Sequence, residues 1–108
     1  MPVDIKGHKP NRRVTLAHTA LDGIKVVDLT RYVAGPYSTK LLADFGADVI
    51  KVEQPAAGDP ARYFSPFVQD HTGPDKSLSF LYLNTNKRSI TLDLKSNAGQ
   101  HILKELVR

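Results

Sequence analysis

The chain has 108 residues, of which 41% are hydrophobic and 24% charged, a composition typical of one small globular domain. It contains no cysteine, which excludes disulfides, thiolate nucleophiles and cysteine-ligated metal sites. No apolar run approaches the length needed to cross a bilayer, so we expect no membrane partner and a cytoplasmic location.

The net charge of +4 is distributed unevenly along the chain. Residues 1–20 hold four basic residues against the single acidic Asp4, include two prolines and show no apolar period. We therefore predict that residues 1–20 form a flexible basic extension. An export signal at Arg12-Arg13 is disfavoured because no apolar segment follows it, and the prolines disfavour a mitochondrial presequence. Since the remaining residues are nearly neutral, no nucleic-acid partner is expected.

Residues 21–53 carry the strongest structural pattern, a strand, a helix and a second strand. The segment GIKVVDLT at 23–30 is almost continuously apolar, which is typical of a strand buried on both faces. Gly35-Pro36 begins a helix, since proline at the first helical position loses no hydrogen bond. Gly46 ends the helix, and residues 47–53 form a second strand parallel to the first. The helix is predicted to group its apolar side chains and leave its charged ones to solvent: Leu41, Leu42 and Phe45; Lys40 and Asp44.

The loop at residues 30–36 is the first candidate site. It follows the carboxyl end of a parallel strand and precedes a helix N-terminus, where open α/β sheets bind ligands and free N–H groups suit an anion. The loop has one glycine where the dinucleotide fingerprint needs three, and the chain lacks a P-loop, so a dehydrogenase-type site is disfavoured. Arg31 either pairs with an anion or is an exposed loop charge.

The connection at residues 54–77 is long for a compact domain, and such connections are usually functional or disordered. Its aromatic residues Tyr63, Phe64 and Phe67 argue against disorder because they favour burial, within this chain or against another polypeptide. Asp59 lies in a Gly-Asp-Pro turn, and we expect a local ion pair between Asp59 and Arg62.

The last third of the chain supplies a third strand and a final helix. Leu78–Leu83 fits a helix or a strand, residues 84–89 form a polar turn, and residues 90–94 alternate as a strand does. Ser96 is a candidate N-cap for a helix with an apolar face at Ile102, Leu103, Leu106 and Val107. We predict an α/β fold with a small three-layer, Rossmann-like parallel sheet of about three strands and flanking helices, the strand order being left open.

Five segments together resemble the amino-terminal part of the family III CoA-transferases, the CaiB/BaiF family. They are LDGIKVVDLT, AGP, LLADFGADVIKVE, QPAAGDPAR and NTNKRSITLDLK. The segments keep the family's order and spacing from Leu21 to Arg108, whereas residues 1–20 lie outside the resemblance. Residues 21–108 are therefore identified as the incomplete N-terminal portion of a CoA-transferase α/β domain.

The resemblance implies an enzyme that moves CoA between an acyl-CoA thioester and a carboxylic acid through an acyl-aspartyl anhydride. A carboxylate nucleophile would divide one difficult exchange into two easier steps. The family's nucleophilic aspartate lies beyond the point matching Arg108, so no catalytic residue is assigned in this chain. No metal and no permanently bound cofactor are implied, since coenzyme A enters as a substrate. The implied partner is a second copy in an interlocked homodimer, or a complementary C-terminal chain.

Seven residues match the family's CoA contacts. Residues of the first loop match positions beside the CoA and its thioester end, namely Arg31, Tyr32, Val33 and Ala34. Contacts around the adenine and its phosphates match Gln54, Leu92 and Lys95. The family's formyl and oxalyl members carry a glutamine in place of Val33 and an arginine in place of Gln54, so the first departure disfavours that substrate class and the second weakens the contact inferred at Gln54.

Other functions are compatible with parts of the pattern. The α-methylacyl-CoA racemase branch resembles the first strand–helix–strand unit, but it lacks the long GDPAR loop and the NTNKRS turn, which favours the transferase. A non-catalytic module that binds CoA or a nucleotide, or an inactive fragment, is the second alternative. The sequence does not specify the acyl donor or acceptor.

Overall fold

Three stretches rich in β-branched residues form one parallel sheet in the computed structural model, which describes residues 18–108. In chain order the elements are β1 Lys25–Asp28, α1 Ala34–Asp44, β2 Asp48–Glu53, α2 Leu78–Leu83, β3 Arg88–Thr91 and α3 Asn97–Leu106. Short 3₁₀ turns at Pro60–Tyr63 and Val68–Asp70 lie between β2 and α2. The predicted α/β class, the parallel three-stranded sheet and its flanking helices are confirmed. Most of the predicted extension, residues 1–17, lies outside the described residues.

The sheet follows chain order, β1-β2-β3, with β2 in the centre. Val26 pairs with Val49 across the first interface, and Val52 pairs with Ile90 across the second. Because all three strands are parallel, their carboxyl ends lie at the same edge of the sheet. The loops that begin after Asp28, Glu53 and Thr91 are thereby brought together.

Strand β1 is not buried on both faces, and that prediction is wrong. Ile24 is 50% exposed and Leu29 48% exposed, just outside the four-residue strand. Within residues 18–108, β1 is an edge strand with a neighbour on one side only. The apolar run therefore predicted the strand correctly, but it did not predict how exposed the residues of that strand are.

Helix α1 turns its small residues toward the sheet, contrary to the predicted apolar face. Its buried residues are Pro36, Thr39 and Ala43, at spacings of three and four that place them on one side. The larger apolar residues Leu41, Leu42 and Phe45 are exposed. Lys40 and Asp44 pair with each other, and Lys40 lies over the ring of Tyr82.

Residues Leu78–Leu83, whose apolar pattern fitted a helix or a strand, form a short helix. Ser77 caps its N-terminus, because the Ser77 hydroxyl accepts a hydrogen bond from the Phe80 N–H. Strand β3 begins two residues before the predicted start, so the polar turn is shorter than expected. Ser96 caps α3 as predicted, accepting from the Gly99 N–H at 3.0 Å. No helix within residues 18–108 is long and apolar enough to span a membrane.

The described interior contains nearly as many buried polar residues as buried apolar ones. Its apolar cluster is small and consists of Ala43, Ala47 and Val49, with Leu21 and Val26 packed against it. Several charged or polar residues are equally buried, namely Asp28, Thr39, Lys51, Glu53, Asp59 and Ser77. Every buried side-chain polar atom in the described part of the chain has a hydrogen-bond partner, so these residues form satisfied networks.

Candidate functional site

Asp28, the last residue of β1, is the centre of the first buried network. One carboxylate oxygen accepts hydrogen bonds from the backbone N–H and the hydroxyl of Thr30, two residues further along. The other oxygen accepts from the Thr39 hydroxyl of α1 at 2.7 Å and from Lys87 Nζ at 3.0 Å. This residue therefore fixes the start of the 30–36 loop and anchors α1 against the sheet.

Lys87 completes that network from the turn before β3. Its ammonium group also donates to the Pro36 carbonyl at 2.9 Å and to Asn84 Oδ1 at 2.9 Å. All three donor positions are thus used, and the side chains of Lys87 and Asp28 are 1% and 0% exposed. The lysine of the NTNKRS segment is a buried structural cation and not part of a solvated turn.

Burial and hydrogen bonding oppose each other at this pair. Burial by itself raises the pKa of Asp28, but hydrogen bonds from Thr30, Thr39 and Lys87 favour the carboxylate and bring its pKa below the ordinary value. Burial also lowers the pKa of Lys87, against the opposing effect of Asp28. The carboxylate is therefore held ionised by several donors besides the lysine.

A second network ties the GDPAR segment to β2. Lys51 Nζ donates to Asp59 Oδ2 at 2.8 Å, and Arg62 makes two hydrogen bonds with Glu53, at 2.8 and 2.7 Å. Because Lys51 and Glu53 are two residues apart, they lie on the same face of the strand. The predicted local ion pair between Asp59 and Arg62 is wrong, since each residue pairs with a different residue of β2.

Arg62 also packs against the interior. Its guanidinium carbon lies 3.9 Å from the centre of the Phe80 ring, a cation–π contact that reaches α2. Burial tends to raise the pKa of Glu53, but the hydrogen bonds from Arg62 and from the Asp59 N–H outweigh it and lower that pKa. Hence β2, the 58–62 segment and α2 form one connected unit.

The first loop is held by both networks. Asp59 Oδ1 accepts the Tyr32 N–H at 3.1 Å, and Lys51 Nζ donates to the Thr30 carbonyl at 3.0 Å. Tyr32 has a positive φ of 70°, an uncommon conformation for a residue with a side chain. Gly35 allows close approach, because a Cβ there would lie 2.4 Å from Thr30 Cβ.

An open cleft of about 490 Å3 lies where the three strands end. Its apolar lining comes from Leu29, Val52, Leu92 and Leu94, and its charged lining from Arg31, Glu53, Asp93 and Lys95. Glu53 is neutralised by Arg62, while Asp93 accepts a hydrogen bond from the Lys95 N–H. Within residues 18–108, neither Arg31 nor Lys95 forms a salt bridge. The cleft therefore offers two side-chain cations beside an apolar floor.

Four of the seven residues singled out from the sequence line this cleft: Arg31, Gln54, Leu92 and Lys95. They follow three different strands, so the parallel sheet brings them together. The other three lie outside the cleft lining. Tyr32 is 53% exposed with its ring 6.4 Å from that of Phe64, Val33 is 52% exposed, and Ala34 begins α1.

Sequence reasoning missed the residues that hold the site, above all Lys51, Asp59 and Lys87. One signal was present, because Lys51 stands between Ile50 and Val52 in the second predicted strand. A lysine in such a strand requires a buried anion nearby. No comparable signal identified Asp59 as that anion, since its partner comes from the strand and not from its own turn.

Comparison with known proteins shows the family of the chain. The family model for CoA-transferase family III matches residues 21–108. The chain belongs to CoA-transferase family III. It is 52% identical over 89 residues to the formyl-CoA:oxalate CoA-transferase of Rhodopseudomonas palustris (strain BisA53), covering 82% of this chain and 20% of that protein. It is 47% identical over 87 residues to the succinyl-CoA:glutarate CoA-transferase of Mus musculus, covering 80% of this chain and 19% of that protein.

The fold is likewise that of the family. A crystal structure of a CaiB/BaiF family protein from Brucella suis matches with a TM-score of 0.71 and 42% identity, covering 83% of this chain and 24% of that one. The chain thus spans about a fifth of the length of the curated relatives that it matches. The names of these two relatives differ in their carboxylates, oxalate in one and glutarate in the other.

Proposed function

We propose that residues 21–108 are the N-terminal portion of a CoA-transferase domain and form one wall of its CoA site. The observation that carries the proposal is the meeting of Arg31, Gln54 and Lys95 at one cleft, although each follows a different strand. Carboxyl ends of parallel strands are the usual position for ligands in open α/β sheets. We infer from the family membership that the ligand is a CoA thioester.

The chemistry of the cleft suits the adenosine end of CoA. Arg31 and Lys95 would pair with phosphate oxygens, which are well matched by a guanidinium fork and by an ammonium group. Leu92 would pack against the face of the adenine ring. The Gln54 amide can both donate and accept, as the edge of adenine requires. Tyr32, Val33 and Ala34 would lie toward the thioester end.

The transfer itself would need an aspartate supplied from outside these 108 residues. In this proposal that aspartate attacks the acyl-CoA thioester, the C–S bond breaks, and an acyl-aspartyl anhydride and the CoA thiolate form. The thiolate would then attack the aspartyl carbonyl carbon of the anhydride, which releases the donor carboxylate and leaves CoA as a thioester on the aspartate. The acceptor carboxylate would displace CoA from that thioester to form a second anhydride, and attack of the thiolate on its acyl carbon would release the new acyl-CoA and the free aspartate.

The most buried aspartates described here are unsuited to attack. Asp28 and Asp59 each accept hydrogen bonds on both carboxylate oxygens, including one from a lysine. Neither has an oxygen free to approach a substrate.

The rest of the enzyme would cover the surface that α1 and α2 leave apolar. Large hydrophobic residues are exposed on both helices and just after the end of α1, and they include Tyr37, Leu41, Phe45, Leu78, Leu81 and Tyr82. Apolar patches of this kind mark surfaces that bind another polypeptide segment. We propose that further transferase sequence, in a homodimer or a complementary chain, packs there.

The proposal is tested by titrating CoA into the chain and following backbone amide signals by NMR, which measures weak affinities. Arg31→Ala and Lys95→Ala are each expected to raise the CoA dissociation constant about tenfold, the effect of losing one hydrogen bond to a charged group. Lys104→Ala is the matched control, because it removes one positive charge from α3, away from the cleft. Its dissociation constant should stay within about twofold of the wild type.

Two results would contradict the proposal. One is an equal loss of affinity in Lys104→Ala and Lys95→Ala, which would mean non-specific attraction of the CoA phosphates to a basic protein. The other is unchanged affinity when Arg31→Ala and Lys95→Ala are combined, which would place CoA elsewhere on the chain.

A further inference from the structure

We propose that Lys51 and Asp59 are positioning residues for the CoA site, acting through the loop that carries Arg31. The inference rests on the proposed function, because it assumes that Arg31 contacts CoA. Neither Lys51 nor Asp59 lines the cleft. Both side chains are buried, at 1% and 0% exposure, so neither can touch a ligand directly.

The pair holds the loop on both sides of Arg31. Lys51 Nζ donates to the carbonyl of Thr30, the residue before Arg31, at 3.0 Å. Asp59 Oδ1 accepts the N–H of Tyr32, the residue after Arg31, at 3.1 Å. The two residues are themselves joined by the 2.8 Å contact between Lys51 Nζ and Asp59 Oδ2. One buried ion pair thus fixes the peptide groups that flank the cleft cation.

The loop conformation requires such support. Tyr32 adopts a φ of 70°, which a residue with a side chain does not favour by itself. Such a conformation persists only where surrounding contacts determine it. The Asp59 carboxylate supplies the contact at the residue concerned, and it is fixed in turn by the Ala61 N–H at 2.9 Å. Without the pair, the loop would be free to adopt commoner conformations and move Arg31 away from the cleft.

A second buried ion pair in the same chain provides a matched control. Lys87 and Asp28 are as buried as Lys51 and Asp59, and both pairs join a lysine to an aspartate. Lys87 donates to Asp28, Pro36 and Asn84, and to neither Thr30 nor Tyr32. Lys51→Met and Lys87→Met therefore remove equivalent charges at equal burial, but only the first removes a direct contact with Thr30, the residue before Arg31, whereas Lys87 contacts the far end of the loop at Pro36.

The test is a double-mutant cycle on CoA affinity. Lys51→Met is expected to raise the CoA dissociation constant about tenfold in the wild-type background and less than about threefold in an Arg31→Ala background. Lys87→Met should change the CoA dissociation constant by the same factor in the wild-type and Arg31→Ala backgrounds. Strictly additive effects of Lys51→Met and Arg31→Ala would overturn the inference, because a residue acting through Arg31 has nothing to act on once Arg31 is removed.

A measurement without CoA tests the loop directly. Hydrogen exchange of the Tyr32 amide should be faster in Lys51→Met than in Lys87→Met. In each variant the Tyr32 exchange rate is expressed relative to the exchange rates of core amides in the same variant, which corrects for any loss of overall stability. The milder Asp59→Asn, which keeps an oxygen for the Tyr32 N–H, serves if Lys51→Met does not fold and should show a smaller acceleration. Equal protection of Tyr32 in all variants would overturn the inference. If Arg31→Ala does not alter CoA affinity, the proposed function fails while the exchange result still decides the role of the pair.

Discussion

Lys87 Nζ lies 3.0 Å from Asp28 Oδ2, and this contact joins positions 59 residues apart in the sequence. Lys87 immediately precedes β3, whereas Asp28 ends β1, the strand at the other edge of the sheet. The same ammonium group reaches the Pro36 carbonyl in the first turn of α1. One side chain therefore joins both edge strands to the helix that follows the candidate site, and its removal should affect the whole unit.

The first prediction concerns the stability contributed by this contact. Lys87→Met should lower the free energy of unfolding by about 3–5 kcal/mol, because it leaves the buried Asp28 carboxylate without its cation. Urea unfolding followed by circular dichroism measures the change.

Arg88→Met is the matched control for that experiment, since Arg88 is the adjacent residue and pairs with Asp48 at the surface. The loss of an exposed pair should cost no more than about 1 kcal/mol. Equal costs for the two variants would show that burial does not distinguish the two ion pairs.

The second prediction concerns acid. Asp28 and Glu53 have pKa values lowered from ordinary values of 3.8 and 4.5, so the folded chain binds protons at these groups less readily than the unfolded chain. The resulting stabilisation is complete above the unfolded values and is lost as pH falls through the folded values. The urea midpoint should therefore be constant from about pH 7 to pH 5 and fall below about pH 4. In Glu53→Gln the urea midpoint should fall less steeply with pH. A wild-type urea midpoint unchanged at pH 3 would contradict the lowered pKa values of Asp28 and Glu53.

The third prediction concerns Gly35, at the start of α1. A Cβ there would meet Thr30 Cβ at 2.4 Å, a separation that requires the loop or the helix to shift. Gly35→Ala should lower the free energy of unfolding by about 1–3 kcal/mol and also weaken CoA binding. Gly73→Ala serves as the control, because its nearest neighbour is the flexible Lys76 side chain at 3.2 Å, and it should change stability by less than about 0.5 kcal/mol. A tolerated Gly35→Ala would show that the close approach is not needed.

The fourth prediction concerns salt. If Arg31 and Lys95 pair with phosphates in an open cleft, CoA affinity should fall several-fold as ionic strength rises from about 0.05 to 0.5 M. Calorimetric or NMR titrations at three salt concentrations measure the slope. Lys95→Ala should reduce that slope, whereas an affinity independent of salt would mean that apolar contacts with Leu92 dominate.

Much of the backbone arrangement could be predicted from the sequence, because local patterns specify it. The β-branched run at β2, the proline at the start of α1 and the Ser96 cap each correspond to an observed element. The parallel pairing followed from the helix between two strands. In the structure the same topology brings Arg31, Gln54 and Lys95 to one cleft.

The side-chain partners could not be predicted in the same way. Asp59 and Arg62 are close in sequence, yet each pairs with β2, because the 3₁₀ turn between them points both side chains toward the strand. Helix α1 buries Thr39, because its hydroxyl donates a hydrogen bond to the buried Asp28 carboxylate. The spacing of hydrophobic residues does not predict this contact. Which charged residues form ion pairs depends on the assembled sheet, and their spacing along the chain does not predict it.

Amide mapping by NMR decides whether CoA binds where the three strands end. Titration of CoA into the isotope-labelled chain should shift the amides of residues 31–34, 54 and 92–95, while those of α2 and α3 stay in place. CoA bound at the strand ends should give that pattern, with the same concentration dependence at all three loops. Shifts confined to the exposed apolar residues of α1 and α2, or absent at Lys95, would contradict it.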